Sequence, residues 1–472
     1  MPDTSEFKIR IKLIGVEKKA LMQELIDEFL PPEKYELVDE TAPDEDCLKI
    51  NENRSGDRDE IKREIFRKLS ALTGKRPDWG ILTGVRPVKL AGELMHQYGD
   101  PEKVRGIFLK DYFLTEEKAR LITDMYAYQQ ESMGEPDPKS IGIYIGIPFC
   151  PTRCLYCSFA SNQVPDEEIA RYLPALIHEI RFVGEKMKEQ GIYPESVYVG
   201  GGTPTTLTAE QMDQMLTEVE QNWDLSHLRE FSVEAGRPDT ITLEKLKVLK
   251  AHHVGRISIN PQSMKQKTLD IIGRSHTPEE IREAFQAAES VGFPVVNADL
   301  IAGLPEEQPE DFARTLEEVL HLGANNITVH TLSVKRASRL KGIDQDYHYK
   351  VADIVRQMLD HSRSALREEG FRPYYLYRQK HMAGYFENTG WSLPGTEGLY
   401  NTRIMDEHQS ILALGAGGIS KRYYPSMDKL VRVANVTNYQ QYVDRIDEMC
   451  QRKADGFFTS DDAAEEDIKN LG

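Results

Sequence analysis

Six short apolar runs, at residues 143–147, 196–199, 230–235, 255–260, 294–301 and 326–332, recur between helical stretches such as 166–190 and 208–221. No other feature constrains the chain so tightly. Strands that alternate with helices pair in parallel, with reactive groups gathered on the loops at their carboxyl ends. Six βα units are two short of a closed eight-fold barrel, so the expected core is an α/β fold, an incomplete (β/α)6 barrel. Its lateral gap is wide enough for a bulky substrate, and a C-terminal region is expected to cover it.

The segment GEPDPKSIG, from Gly134 to Gly142, is a Pro/Gly-rich break. It separates an N-terminal unit, 1–135, from the barrel, 141–335, with a C-terminal covering region at 336–472. In FKIRIKLI, residues 7–14, Phe7, Ile9, Ile11 and Leu13 alternate with Lys8, Arg10 and Lys12, the two-residue period of a half-buried strand. A helix carrying Leu21, Leu25 and Phe29 follows and stops at Pro31 and Pro32, before one or two strands between Tyr35 and Ile50. From Asp57 the pattern is helical up to Gly74, with further helices near 87–98 and 115–131. In the stretch WGILTGVRPVKL, Arg86 and Lys89 could contact an anionic ligand, but a solvated turn is the preferred reading.

Lys and Arg number 59 against 77 Asp and Glu, a net charge of −18. So acidic a chain argues against a long phosphate-tracking surface and hence against a nucleic-acid partner. There is no run of some eighteen apolar residues and no apolar N-terminal stretch, so a cytoplasmic protein without a membrane span is expected.

Directly after the first barrel run stands YIGIPFCPTRCLYCSF, Tyr144 to Phe159. Pro148 and Pro151 prevent regular pairing, so the loop is free to curl and point Cys150, Cys154 and Cys157 at one centre. A structural zinc site wants four ligands, and no second C-x2-C or nearby His pair exists. A disulfide framework fits poorly with five cysteines in 472 residues, and Cys47 and Cys450 read as ordinary thiols. Iron–sulfur cubes are held by Cys thiolates, normally four, so three leave one iron open for an exogenous ligand.

Polar residues close the later apolar runs. The second runs into Gly200, Gly201, Gly202, Thr203 and Pro204, where backbone can approach a ligand without Cβ interference. The third delivers Glu234, the fourth leads to Gln262 and the fifth to Asp299, with Arg274 between the last two offering a fork for carboxylate or ribose oxygens. Singly each reads as a capped loop residue; together they fall on successive loops facing the cysteines.

The C-x3-C-x2-C spacing is the signature of the radical S-adenosylmethionine (radical SAM) enzymes, and GGGTP resembles the form found in the coproporphyrinogen dehydrogenase group. From about 141 to 425 the chain resembles the oxygen-independent coproporphyrinogen III dehydrogenases (HemN-like), and overall their HemZ-type branch. The resemblance implies that Cys150, Cys154 and Cys157 ligate a [4Fe–4S] cluster. It implies Tyr144, Gly201, Glu234 and Ile419 around a first SAM. Tyr156, Gly202, Thr203, Gln262, Arg274, Asp299 and Ser333 would surround its remaining atoms or a second SAM. The implied reaction is removal of a hydrogen from a propionate β-carbon of coproporphyrinogen III by a 5′-deoxyadenosyl radical, loss of CO2 and an electron, and formation of a vinyl group. The implied partners are the tetrapyrrole and an electron-donor protein such as a flavodoxin or ferredoxin.

There are two departures from the dehydrogenase pattern. Its fourth cysteine position is Phe159 here, as in the related haem chaperones (HemW-like). Their HNxxYW haem segment corresponds here to Tyr400, Asn401, Thr402, Arg403, Ile404 and Met405, without the histidine and tryptophan. The chain thus stands between the two activities and leans toward the dehydrogenases; a radical SAM enzyme on another substrate, such as a methyltransferase, is the third reading. For a carboxylate-rich substrate the cations on offer are Lys335, Arg336, Arg339 and Arg378, each equally readable as a surface charge. Tyr374, Tyr375 and Tyr377 suit macrocycle stacking or a core strand, and His330 suits iron, substrate or a core hydrogen bond.

Overall fold

The computed structural model describes residues 8–159, 161–334, 340, 347–380 and 382–459. Phe7, Lys335, Arg336 and Arg339 lie outside the described residues.

The N-terminal unit opens with β1 (Ile9–Leu13), flanked by β2 (Tyr35–Val38) and β3 (Cys47–Ile50), both parallel to it. Helices Lys19–Phe29 and Arg58–Thr73 place Met22, Leu25, Ile26 and Phe29, and Ile61, Ile65, Phe66 and Leu69, in one core with Ile11 and Leu13. Asp57 caps the second helix by accepting from the Asp59 amide, and Gly74 ends it in the left-handed region. Lys12, expected in solvent, is buried. With β2 and β3 on opposite sides of β1, the connection between them must cross β1, and it closes over the Lys12 stem; the ammonium ends on the Ala42 carbonyl and, at 2.7 Å, on Asp44. Helices Pro87–Tyr98, Pro101–Lys110 and Glu116–Met133 follow, with a core around Trp79, Val104, Phe108 and Ile122 that also takes in Leu376 of the C-terminal region.

Beyond the 134–139 break come the six expected strands: β4 (Ser140–Ile147), β5 (Tyr193–Gly201), β6 (Glu230–Gly236), β7 (Arg256–Ile259), β8 (Val295–Ala302) and β9 (Asn326–Thr331). Each is parallel to the next. The returning helices begin on clear signals, including capping boxes at Thr208 and Thr277. The C-terminal region then adds β10 (Arg372–Tyr377), β11 (Asn388–Ser392), β12 (Ile411–Leu414), β13 (Ile419–Tyr424) and β14 (Lys429–Ala434). The resulting order is β10-β11-β9-β8-β7-β6-β5-β4-β12-β13-β14. β12 is a seventh strand in the parallel set, beside β4, and β11 and β13 run antiparallel to their inner neighbours. The C-terminal region is therefore built into the sheet at both edges, and the boundary at 335/336 separates strands of one sheet.

Burial within the strands traces the wall of a lumen. In β4, β8 and β9 the partly open inward residues are Tyr144, Asp299 and His330, each between buried neighbours. Tyr198 in β5, Glu234 in β6 and Tyr377 at the end of β10 are partly open in the same way. β4 and β5 are in register at Tyr144 and Tyr198, so the two rings stack, with centroids 6.3 Å apart. Among the described residues no helix is long and apolar enough to cross a membrane.

Candidate active site at the carboxyl ends of the barrel strands

The cysteine loop leaves β4 after Ile147 and is tied at its base. The Cys150 amide donates to the Asn162 carbonyl (3.1 Å), and Asn162 donates to the Pro148 carbonyl from its amide (3.0 Å) and side chain (2.9 Å). Midway, the Leu155 amide donates to the Ile272 carbonyl across the barrel mouth (2.9 Å). All three thiols are free; Cys154 is buried, Cys150 and Cys157 half-buried. Among the described residues no three His, Cys, Asp or Glu side chains are gathered closely enough to hold one metal ion. Three soft sulfurs on one loop suit thiophilic metal chemistry, iron–sulfur clusters included.

The glycine patch at the end of β5 lies against this loop. The Gly202 amide donates to the Ile147 carbonyl (2.8 Å), and a Cβ on Gly202 would stand 2.4 Å from the Phe149 oxygen and 2.9 Å from the Cys150 sulfur. Only glycine permits that approach. Thr203 donates its hydroxyl to the Cys150 sulfur (3.4 Å), and burial pushes that thiol up to about 11 despite this bond.

Glu234 accepts from the Tyr198 hydroxyl (2.6 Å), and burial, outweighing that bond, pushes its carboxyl up to about 7. Arg274 is buried; it donates to the Asn260 carbonyl (2.6 Å) and to the Tyr156 hydroxyl (3.3 Å). Gln262, with φ of 64°, donates its amide to the Asp299 carbonyl (3.0 Å). The side chain of Asp299 accepts from Asn297 (2.9 Å) and faces His330 Nε2 at 3.6 Å. Burial opposes its charge, yet these neighbours hold the Asp299 carboxyl below the usual carboxylate range. Three buried atoms here, Asn260 Oδ1, Gln262 Oε1 and Arg274 Nε, have no hydrogen-bond partner. Leaving a buried polar group unpaired costs about 1–3 kcal/mol. A polar ligand in the lumen offsets that cost, so the residues present fit a nucleoside-bearing cosubstrate.

Ile419 opens β13 and is half exposed on the same rim. Ahead of it Gly415, with φ of 89°, approaches so closely that a Cβ would stand 2.3 Å from the Gly146 oxygen. Glu179, fully buried, holds this turn by accepting from the Gly415 amide (2.8 Å) and Tyr442 hydroxyl (2.6 Å). Lys453 (2.6 Å) and Asn435 (2.9 Å) donate to its other oxygen. Ser333 donates to the Lys380 carbonyl (3.0 Å) beyond β9.

Arg378 does not face the lumen. It is buried against the N-terminal unit, paired with Glu28 at 3.0 Å, donating to the Leu82 and Tyr385 carbonyls and lying over the Trp79 ring. A guanidinium so committed is unavailable to a substrate carboxylate. Arg86 and Lys89 converge on Glu407, at 2.7 and 3.8 Å, instead of a solvated turn. Tyr198, Tyr400 and the Glu179–Lys453 pair were not evident as parts of the site from sequence; equal spacing of Tyr144 and Tyr198 from their strand ends is the one signal that marks the former.

A family model described as the radical SAM superfamily matches residues 144–319. Over 392 residues the chain is 40% identical to the "oxygen-independent coproporphyrinogen-III oxidase-like protein HemZ" of Bacillus subtilis (strain 168), covering 82% of this chain and 78% of that protein. The chain belongs to the radical SAM superfamily, in its HemZ-type branch. A heme chaperone HemW of Lactococcus lactis is 31% identical over 284 residues, 58% of this radical SAM chain and 68% of the relative. Among solved structures, coproporphyrinogen III oxidase (HemN) from Escherichia coli, described as a radical SAM enzyme, superposes with a TM-score of 0.53 at 23% identity, over 69% of this chain and 73% of that one. That likeness is one of fold. Radical SAM membership implies a [4Fe–4S] cluster and S-adenosylmethionine, and the three cysteines of the motif are in place.

Proposed function

We propose that this protein carries out oxygen-independent oxidative decarboxylation of coproporphyrinogen III propionates to vinyl groups. When bound, the cluster and S-adenosylmethionine supply a carbon-centred radical that removes one propionate hydrogen. Cys150, Cys154 and Cys157 would hold the cluster. Tyr144, Gly201, Glu234 and Ile419 would border one SAM. Tyr156, Gly202, Thr203, Gln262, Arg274, Asp299 and Ser333 would surround its remaining atoms or a second SAM. The glycine patch lets backbone close on the ligand, and the aromatic wall of Tyr144, Tyr198 and Tyr400 excludes water from the reacting carbon. An electron-donor protein such as a flavodoxin or ferredoxin would be the partner that supplies the electron.

The observation that carries this reading is the set of buried, unpartnered polar atoms on Asn260, Gln262 and Arg274, tied to the cysteine loop through the Arg274–Tyr156 bond. The haem-chaperone reading draws on Phe159, exposed beside Cys157. Against it stands Tyr400, at the first position of the chaperones' haem segment: it is buried in the lumen, stacked on Tyr198 at 4.8 Å, and brings no imidazole. The test is anaerobic reconstitution with iron and sulfide, then dithionite, SAM and coproporphyrinogen III. 5′-Deoxyadenosine together with a divinyl product is expected. Haem binding without propionate loss, or a methylated product with S-adenosylhomocysteine, would replace this reading with one of the other two.

A further inference from the structure

Asp299, His330 and Tyr377 come from β8, β9 and β10, three of the strands that form one side of the lumen. All three are half-buried on strands whose neighbouring residues are mostly buried. Asp299 Oδ2 lies 3.6 Å from His330 Nε2, and the Tyr377 hydroxyl lies 3.3 Å from His330 Nδ1. The His330 and Tyr377 rings meet edge to face, with centroids 6.4 Å apart. Nδ1 is engaged by the Tyr377 hydroxyl and Nε2 faces Asp299, so the Tyr377 hydroxyl is the end of the row. Asp299 is already fixed from its other side by Asn297.

We infer that Tyr377 receives a carboxylate of the substrate, with His330 and Asp299 as the residues that position it. The inference rests on the reading of the substrate as a propionate-bearing tetrapyrrole. A carboxylate oxygen only accepts, so when a substrate carboxylate arrives the Tyr377 hydroxyl turns its hydrogen toward it. His330, edge to face with the Tyr377 ring, holds that ring in place, and Asp299 faces His330 from the other side. Arg378, committed to Glu28, takes no part in this contact. A row of hydrogen bonds ending on an ionised group is stronger than neutral pairs of the same length.

The experiment measures binding of coproporphyrin III, and of its tetramethyl ester, to the reconstituted full-length protein by porphyrin fluorescence, both in the same dilute detergent. Tyr377→Phe and His330→Phe are expected to weaken the free acid about tenfold or more while leaving the ester unchanged, because only the acid offers a charged acceptor. His330→Gln, which retains a donor, is expected to recover part of the loss. The ester arm reports whether a variant still folds and still holds a macrocycle. If wild type binds coproporphyrin III and both Phe variants bind it as tightly, the assignment is overturned while the proposed reaction stands. If wild type binds neither compound, the tetrapyrrole reading itself falls and takes the assignment with it.

Discussion

Lys453→Met is the sharpest test of how the rim of the site is held. Lys453 and Glu179 are both fully buried, 2.6 Å apart, and join the last helix, Ile446–Gly456, to the helix Asp166–Gln190. Lys453 also donates to Asn435 Oδ1 (2.6 Å). Removing the ammonium leaves a buried carboxylate whose remaining donors are the Gly415 amide, the Tyr442 hydroxyl and the Asn435 amide. Breaking one side of such a pair costs about 3–5 kcal/mol. Replacing both sides costs less, because Glu179→Gln/Lys453→Met leaves no buried charge and the Gln oxygen still accepts from the Gly415 amide and Tyr442 hydroxyl, while its amide meets the Asn435 amide and keeps part of the loss. The double variant should therefore lie within about 1–2 kcal/mol of wild type, at least about 1 kcal/mol better than Lys453→Met alone. Urea unfolding of the three variants measures this, and equilibrium binding of SAM to the reconstituted proteins reports the Gly415 turn. A single variant that loses less than about 1 kcal/mol, or a double variant worse than Lys453→Met, would refute the reasoning.

Three other outcomes follow from the same structure. Cys154→Ala should abolish the brown chromophore after anaerobic reconstitution while leaving the far-UV circular dichroism of the apoprotein unchanged; a variant with full cluster absorbance would remove Cys154 from the ligand set. Glu234, raised to about 7, binds a proton more tightly folded than unfolded. Its contribution to stability is thus full below the ordinary glutamate range and is lost as pH rises through about 7. Glu234→Gln should flatten the fall in ligand-free stability between about pH 5 and pH 7 relative to wild type, and identical slopes would refute the assignment. Arg378→Met strands Glu28, buried beside it, at the join between the N-terminal unit and the barrel, and should cost about 3 kcal/mol or more in urea unfolding; Tyr377 contacts should not change.

The barrel was legible because its cause is local. Each strand is a mostly apolar run, and the helix expected at 166–190 is found at Asp166–Gln190, bounded by Pro165 and by Gly191 in the left-handed region. Glu234 and Asp299 were legible as charges in apolar runs, but they stand within β6 and β8 and not at the strand ends, where the sequence places them. What escaped depends on residues far apart in the chain. Arg378 reads as a free cation until Glu28, 350 residues away, is seen beside it. Lys453 and Glu179 are separated by 274 residues, and neither flanks a motif. Lys12 alternates like a surface residue and is buried only because the β2–β3 connection crosses its strand. β12 is too short to stand out, four residues ahead of a glycine-rich turn, and takes its place by pairing with β4.

The central claim is that three cysteines hold an iron–sulfur cube with one iron left for S-adenosylmethionine inside the lumen. Electron paramagnetic resonance of the reduced, reconstituted protein, recorded before and after addition of SAM, tests it most directly. About four iron and four sulfide per chain are expected, with a reduced-cluster spectrum that shifts when SAM is added. A spectrum indifferent to SAM, or a preparation that takes up zinc in place of iron, would contradict it.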